Sequence, residues 1–173
     1  MAQFVDRMIR VGKLDARLYE EVAADTRATG QALGVVLLSS VAAGIGYAVQ
    51  GGLAGLVMGT VVALLGWYVW ASITYIIDAK LLPMPQTSTS HRALWRTLGF
   101  ASAPGLLRVL GVLPGLAGIA FLVAAVWMLM ATVIAVRQGL DYTSTIRAGG
   151  VGVVGWLVQV LIMLPLFLLF GGD

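Results

Sequence analysis

ATGQALGVVLLSSVAAGIGYAVQGGLAGLVMGTVVALLGWYVWASITYII, residues 28–77, runs fifty residues without an acidic, basic or histidine side chain. An α-helix rises about 1.5 Å per residue, so about twenty apolar residues cross a hydrocarbon core of about 30 Å. The run is long enough for two crossings, and Gly51-Gly52 near its middle supplies the turn between them. We place the first crossing at 31–50 and the second at 53–77.

The rest of the chain agrees. Of its 173 residues 60% are hydrophobic and 11% charged, with a mean hydropathy of +0.94, against about 25% charged residues in a soluble domain. The absence of cysteine excludes disulfides, thiolate metal sites and cysteine nucleophiles. A net charge of +3 does not point to nucleic acid, because the basic residues flank apolar segments, where they set membrane topology. Roughly thirty mixed-charge residues precede the first apolar run, unlike a cleavable signal peptide, so the N-terminus is expected to be retained.

In that N-terminal segment Phe4, Met8, Val11, Leu14, Leu18 and Val22 recur at helical spacing, which predicts one amphipathic helix. Asp6 with Arg10, and Arg17 with Glu21, stand one turn apart and can pair. The balanced charge favours docking on the protein's own bundle over a lipid-binding role. Asp25, Thr26 and Thr29 supply capping side chains for the first crossing.

Beyond a Pro- and Ser-containing loop at 82–91, three further crossings are expected at 94–110, 117–136 and 151–170. The first of them contains Gly99, Pro104, Gly105 and Arg108 and should break near Pro104. Five crossings put ten of the eleven Lys and Arg residues on one side, which the positive-inside rule makes cytoplasmic, with the C-terminus outside. The expected fold is thus an all-α polytopic membrane protein: a cytoplasmic amphipathic segment at 1–30 and a five-helix membrane domain at 31–173.

Four motifs are candidates for function. Gly51, Gly55, Gly59 and Ala63 form a small-residue stripe that lets another helix approach closely, either within the chain or from a second copy. Arg108 is costly at membrane depth and is either a headgroup anchor or a binding cation. Arg96, with His91, Arg92 and Trp95, forms a basic cluster suited to lipid phosphates; Arg96 and Arg108 are the candidate lipid or ligand contacts. Trp67, Tyr68, Trp70 and Trp127 read as packing residues, and Tyr47 and Tyr75 as interface residues. The Gly150, Gly152, Gly155 run lacks the strand that a dinucleotide site needs.

The stretch Leu94-Trp95-Arg96-Thr97-Leu98-Gly99-Phe100-Ala101-Ser102-Ala103-Pro104, in the third of five spans, resembles the Yip (Ypt-interacting protein) domain family, its bacterial members especially. Leu18 to Glu21, the Gly-rich second span and Trp127 to Gln138 extend the likeness. The resemblance implies five spans, a cytoplasmic N-terminus, association between membrane proteins, and a helix-break motif at Gly99, Phe100 and Pro104. Against GTPase binding, which eukaryotic members show, stands Arg17-Leu18-Tyr19-Glu20-Glu21, which lacks the Asp, Gly and Pro of the family's N-terminal motif.

No paired carboxylates, histidine cluster or ionisable relay lie within the crossings, so no catalytic residue, metal or cofactor is expected. The expected function is that of a non-enzymatic scaffold, assembly or membrane-organising factor of the bacterial cytoplasmic membrane. Its expected partners are membrane lipids and, through helix association, copies of itself or other membrane proteins. The alternative is a small transporter, channel or lipid-handling protein built on the broken third helix and Arg108.

Overall fold

The computed structural model describes residues 2–76, 91–139 and Gly150. Within them every regular element is helical: α1 (Ala2–Gly12), α2 (Ala16–Ala24), α3 (Ala28–Ile76), α4 (His91–Ala101), a 3₁₀ segment (Ala103–Val112) and α5 (Ala117–Gly139). The expected fifth crossing at 151–170, the 82–90 loop and the C-terminal Asp173 lie outside the described residues.

Gly52 folds α3 back on itself. Its φ of 54° and ψ of −140° are not helical, and this backbone state is open essentially to glycine. The arms 28–51 and 53–76 then pack antiparallel. A Cβ on Gly44 would overlap Thr60 Oγ1 and the Leu56 carbonyl, and one on Gly55 would stand 2.6 Å from the Tyr47 carbonyl oxygen. The turn expected at Gly51-Gly52 is where the chain reverses.

The path continues up and down. Ala32 meets Gly99, Ser39 meets Gly105, and Gly46 meets Gly111, an ascending order that sets α4 and the 3₁₀ segment parallel to arm 28–51. Gly105 meets Met128 and Gly111 meets Phe121, so α5 returns antiparallel. These elements touch at backbone distance because glycine, alanine and serine fill the contacts.

The distribution of side-chain size is inverted relative to a soluble core. On α5 the buried residues include Ala120, Ala124, Ala131 and Ala135, while Ile119, Leu122, Val123, Val126 and Met130 are exposed. Arm 28–51 largely follows it, with Ala32, Ser39, Ala42 and Ala43 inside beside the two valines Val35 and Val36, and Leu33, Leu37 and Leu38 outside. In water, large apolar side chains would be buried first, and a continuous exposed belt marks a membrane or partner surface. On the second arm of α3, Thr60, Ser72 and Thr74 each donate to the carbonyl four residues back, which satisfies these hydroxyls within their own helix, as an apolar medium requires.

Two helices, Ala28–Ile76 and Ala117–Gln138, are long and apolar enough to cross a bilayer. The expected third crossing is not one α-helix. It ends as α at Ala101 and continues from Ala103 as ten residues of 3₁₀ helix with Pro104 in its first turn, because proline removes an amide and clashes with the preceding turn. A 3₁₀ helix rises about 2.0 Å per residue, so α4 and this segment together reach about as far as an arm of α3.

The N-terminal region also differs from expectation. One amphipathic helix is replaced by two, separated at Leu14, whose φ of 58° breaks the helix. Asp15 then caps α2 by accepting from the Arg17 amide at 3.0 Å. The break lets both helices bury their apolar faces: Val11, Leu18, Tyr19 and Val22 are fully buried in one cluster with Ala32, Leu94, Leu98, Ala131 and Ala135. Docking on the bundle is therefore the observed arrangement.

Candidate functional site

Two polar constellations occupy opposite ends of the bundle. At the N-terminal end, Arg7 sits on the apolar face of α1 and is 2% exposed. It donates to Glu21 at 2.9 Å, to Asp25 at 2.8 Å and to the Gln31 amide oxygen at 2.9 Å. Arg10 donates to Asp15 at 2.8 Å and to Glu21 at 2.7 Å. These pairs join α1, α2 and α3, whereas the Asp6–Arg10 and Arg17–Glu21 pairs expected one turn apart do not form, because Arg10 is taken by Asp15 and Glu21, and Glu21 by Arg7 and Arg10. The arginines hold the carboxyls low: Glu21 chiefly through Arg10 and then Arg7, Asp25 through Arg7 and the Arg27 amide, and Asp15 through Arg10.

Arg96 belongs to this end. It is buried on α4, and its Nε donates to the Val22 carbonyl at 2.9 Å while Nη2 donates to the Ala23 carbonyl. Both acceptors are last-turn carbonyls of α2, which have no partner within their own helix and carry the negative end of its dipole. The residue expected at lipid phosphates thus ties α2 to α4. Its neighbour Trp95 is half-buried, edge-on to Trp67 and Tyr68 at 5.7 and 5.6 Å between ring centres; the packing role expected of Trp67 and Tyr68 is where the structure places them.

At the opposite end lie the hairpin tip and Arg108. The guanidinium stands 5.8 Å from the centre of the Phe121 ring, a cation over an aromatic face. Nη2 donates to Met128 Sδ at 3.3 Å, and Nε is buried with no hydrogen-bond partner. A thioether is a weak acceptor, so this cation is underused. Beside it a cleft of about 230 Å³ is lined by Gly46, Tyr47, Gln50, Ala117, Gly118 and Phe121. Tyr47 and Phe121 are themselves in ring contact at 4.9 Å.

The remaining candidates fall into place between the two ends. Gly99, lying on Ala32, and the fully buried Phe100 belong to the last turn of α4, and Pro104 stands past the break, at the start of the 3₁₀ segment. Of the small-residue stripe, Gly55 and Gly59 face Tyr47 and Gly44 of the other arm, whereas nothing approaches Gly51 within 4 Å; Ala63 is half-buried. Of the four, Gly55 and Gly59 are thus used inside the chain. The reading at Gly150, Gly152 and Gly155 falls mainly outside the described residues.

Sequence reasoning missed Arg7, although a signal was present. Arg7 stands three residues after Phe4 and four before Val11, within the apolar face, and a cation there must meet buried partners. Among the described residues no group of three His, Cys, Asp or Glu could hold a metal ion. Compared with known protein families, curated proteins and solved structures, the chain matches none.

Proposed function

We propose that the protein is an integral membrane bundle that works by association at its outer surface, as a scaffold or membrane-organising factor without enzymatic activity. The inverted packing carries this reading. Glycine, alanine and serine bring the described helices to backbone contact, and leucine, valine and methionine are left facing outward. A bundle filled in this way offers its partners an apolar flank and two ends. With α5 and both arms of α3 crossing, the N-terminal clamp lies in the cytoplasm and the hairpin tip outside, in keeping with a basic cytoplasmic end. The resemblance of residues 94–104 to the bacterial Yip-type proteins is in keeping with such a role.

The cysteine-free chain suits a direct test. Single cysteines replacing Lys13, Gln50, Val57 and Leu122 should give labelling of the first from the cytoplasm only, of the second from outside only, and of the last two from neither side. Labelling of all four by a water-soluble maleimide would refute the membrane reading. Photo-crosslinkers at Leu53 and Leu122 should yield discrete protein adducts in native membranes. Adducts with lipid alone would overturn association in favour of lipid handling, the second reading, which the underused Arg108 cation supports.

A further inference from the structure

The environment of Arg108 calls for an anion. A guanidinium has five N–H donors, yet the described contacts of this one are a thioether and an aromatic face, and its Nε is buried without a partner. No Asp or Glu occurs anywhere in 28–76 or 91–139 to neutralise it. The Phe121 ring under the cation also walls the cleft, whose other lining includes two side chains able to donate hydrogen bonds, Tyr47 and Gln50. The cleft opens at the start of α5, where the helix dipole is positive.

We infer that the hairpin tip is a binding site for a phosphate-bearing anion, held by Arg108 with Tyr47 and Gln50. The planar guanidinium fork matches two phosphate oxygens at once; Arg108 stands behind Phe121 and does not line the cleft, so to meet the anion it swings from the weak acceptor Met128 towards Tyr47 and Gln50. The flanks select the source. Val49, Leu53, Val112, Leu113 and Leu116 are exposed around the tip and give acyl chains an apolar surface to lie along, so the occupant is the headgroup of an anionic phospholipid. This rests on the bilayer placement proposed above.

The test uses the full chain in detergent and in nanodiscs of phosphatidylglycerol or phosphatidylcholine, with retained lipid counted by native mass spectrometry. The wild-type protein should retain phosphatidylglycerol about tenfold over phosphatidylcholine, and Arg108→Gln should abolish that preference. Arg92→Gln, an equal loss of charge at an exposed position of α4, should keep it. Gln50→Leu, at an exposed position, gives a second variant should Arg108→Gln fail to fold, and should weaken retention. Absence of preference in the wild-type protein, or its persistence in Arg108→Gln, would overturn the site. Stabilisation of delipidated protein by inorganic phosphate alone would support the anion chemistry but overturn a lipid source. Insertion is read separately by cysteine protection, so a chain that is protected yet indifferent to headgroup refutes this site without refuting the proposed function.

Discussion

Arg96 Nε donates to the carbonyl of Val22, 74 residues earlier in the chain, at 2.9 Å. A cation that was expected to face lipid thereby closes the C-terminal end of α2. Replacing it with Met would leave one buried and one part-buried carbonyl without a donor, at a cost of about 1–3 kcal/mol. Lys has one point of charge in place of a fork and should recover only part. Thermal unfolding in detergent, followed by circular dichroism, should rank wild type above Lys above Met, and limited proteolysis should cut first near α2 in the Met variant.

The clamp around Arg7 predicts a pH response. Glu21, Asp25 and Asp15 all have carboxyls held below their ordinary range by Arg10 and Arg7. A lowered folded-state pKa stabilises the docked N-terminal helices above the unfolded value of about 4, and that stabilisation is lost as pH falls through the folded values. Docking should therefore be flat from about pH 5 to pH 9 and weaken below about pH 4. Arg7→Met should lower stability at neutral pH and flatten the acid response, because Arg7 holds Asp25 and helps to hold Glu21. Proteolytic release of the N-terminal segment as a function of pH measures both.

The parts of this fold that were legible in the sequence are those encoded by one residue type acting on its own backbone. Gly51-Gly52 marks the reversal because the chain there needs a φ that other residues resist. Pro104 marks the break in the third segment because proline cannot continue an α-helix. The continuation as 3₁₀ helix was not legible: it depends on Gly105 and Gly111 lying against Ser39 and Gly46, a contact between distant segments. Arg96 was misplaced for a related reason. Its partners are main-chain carbonyls, which every residue has, so no pattern of side chains announces them. Arg108 was recognised as costly and in want of a partner, but its contact with Phe121 and the cleft beside it required the turn at 113–116 to fold α5 back.

Three neighbouring glycines should respond differently to one methyl group. Gly51 has helical backbone and nothing within 4 Å, so Gly51→Ala should be neutral or should stabilise by up to about 1 kcal/mol. Gly52→Ala forces a Cβ into the φ of 54° and should cost about 1–3 kcal/mol. Gly55→Ala places its methyl against the Tyr47 carbonyl and should cost about 1–3 kcal/mol by pushing the arms apart. Melting temperatures in one detergent should put the first variant at or above wild type and the other two below. Equal values for all three would mean that the arms do not pack as described.

Val126 separates the membrane placement from a water-soluble one. It lies nine residues into α5, about 13.5 Å along the helix, and is 50% exposed. If α5 crosses the bilayer, this position is near the midplane, and Val126→Arg should cost about 2.5–3.5 kcal/mol of insertion free energy. Were the same face in water, an exposed Val→Arg change would stay within about 0.5 kcal/mol and would improve solubility. The inserted fraction, read from glycosylation of an acceptor placed just beyond α5 and expressed in microsomes, distinguishes the two. A marked fall for Val126→Arg, with Val126→Leu unchanged, is the outcome that inverted packing requires, because the cost arises from lipid on the outside of the helix and not from neighbours within the bundle.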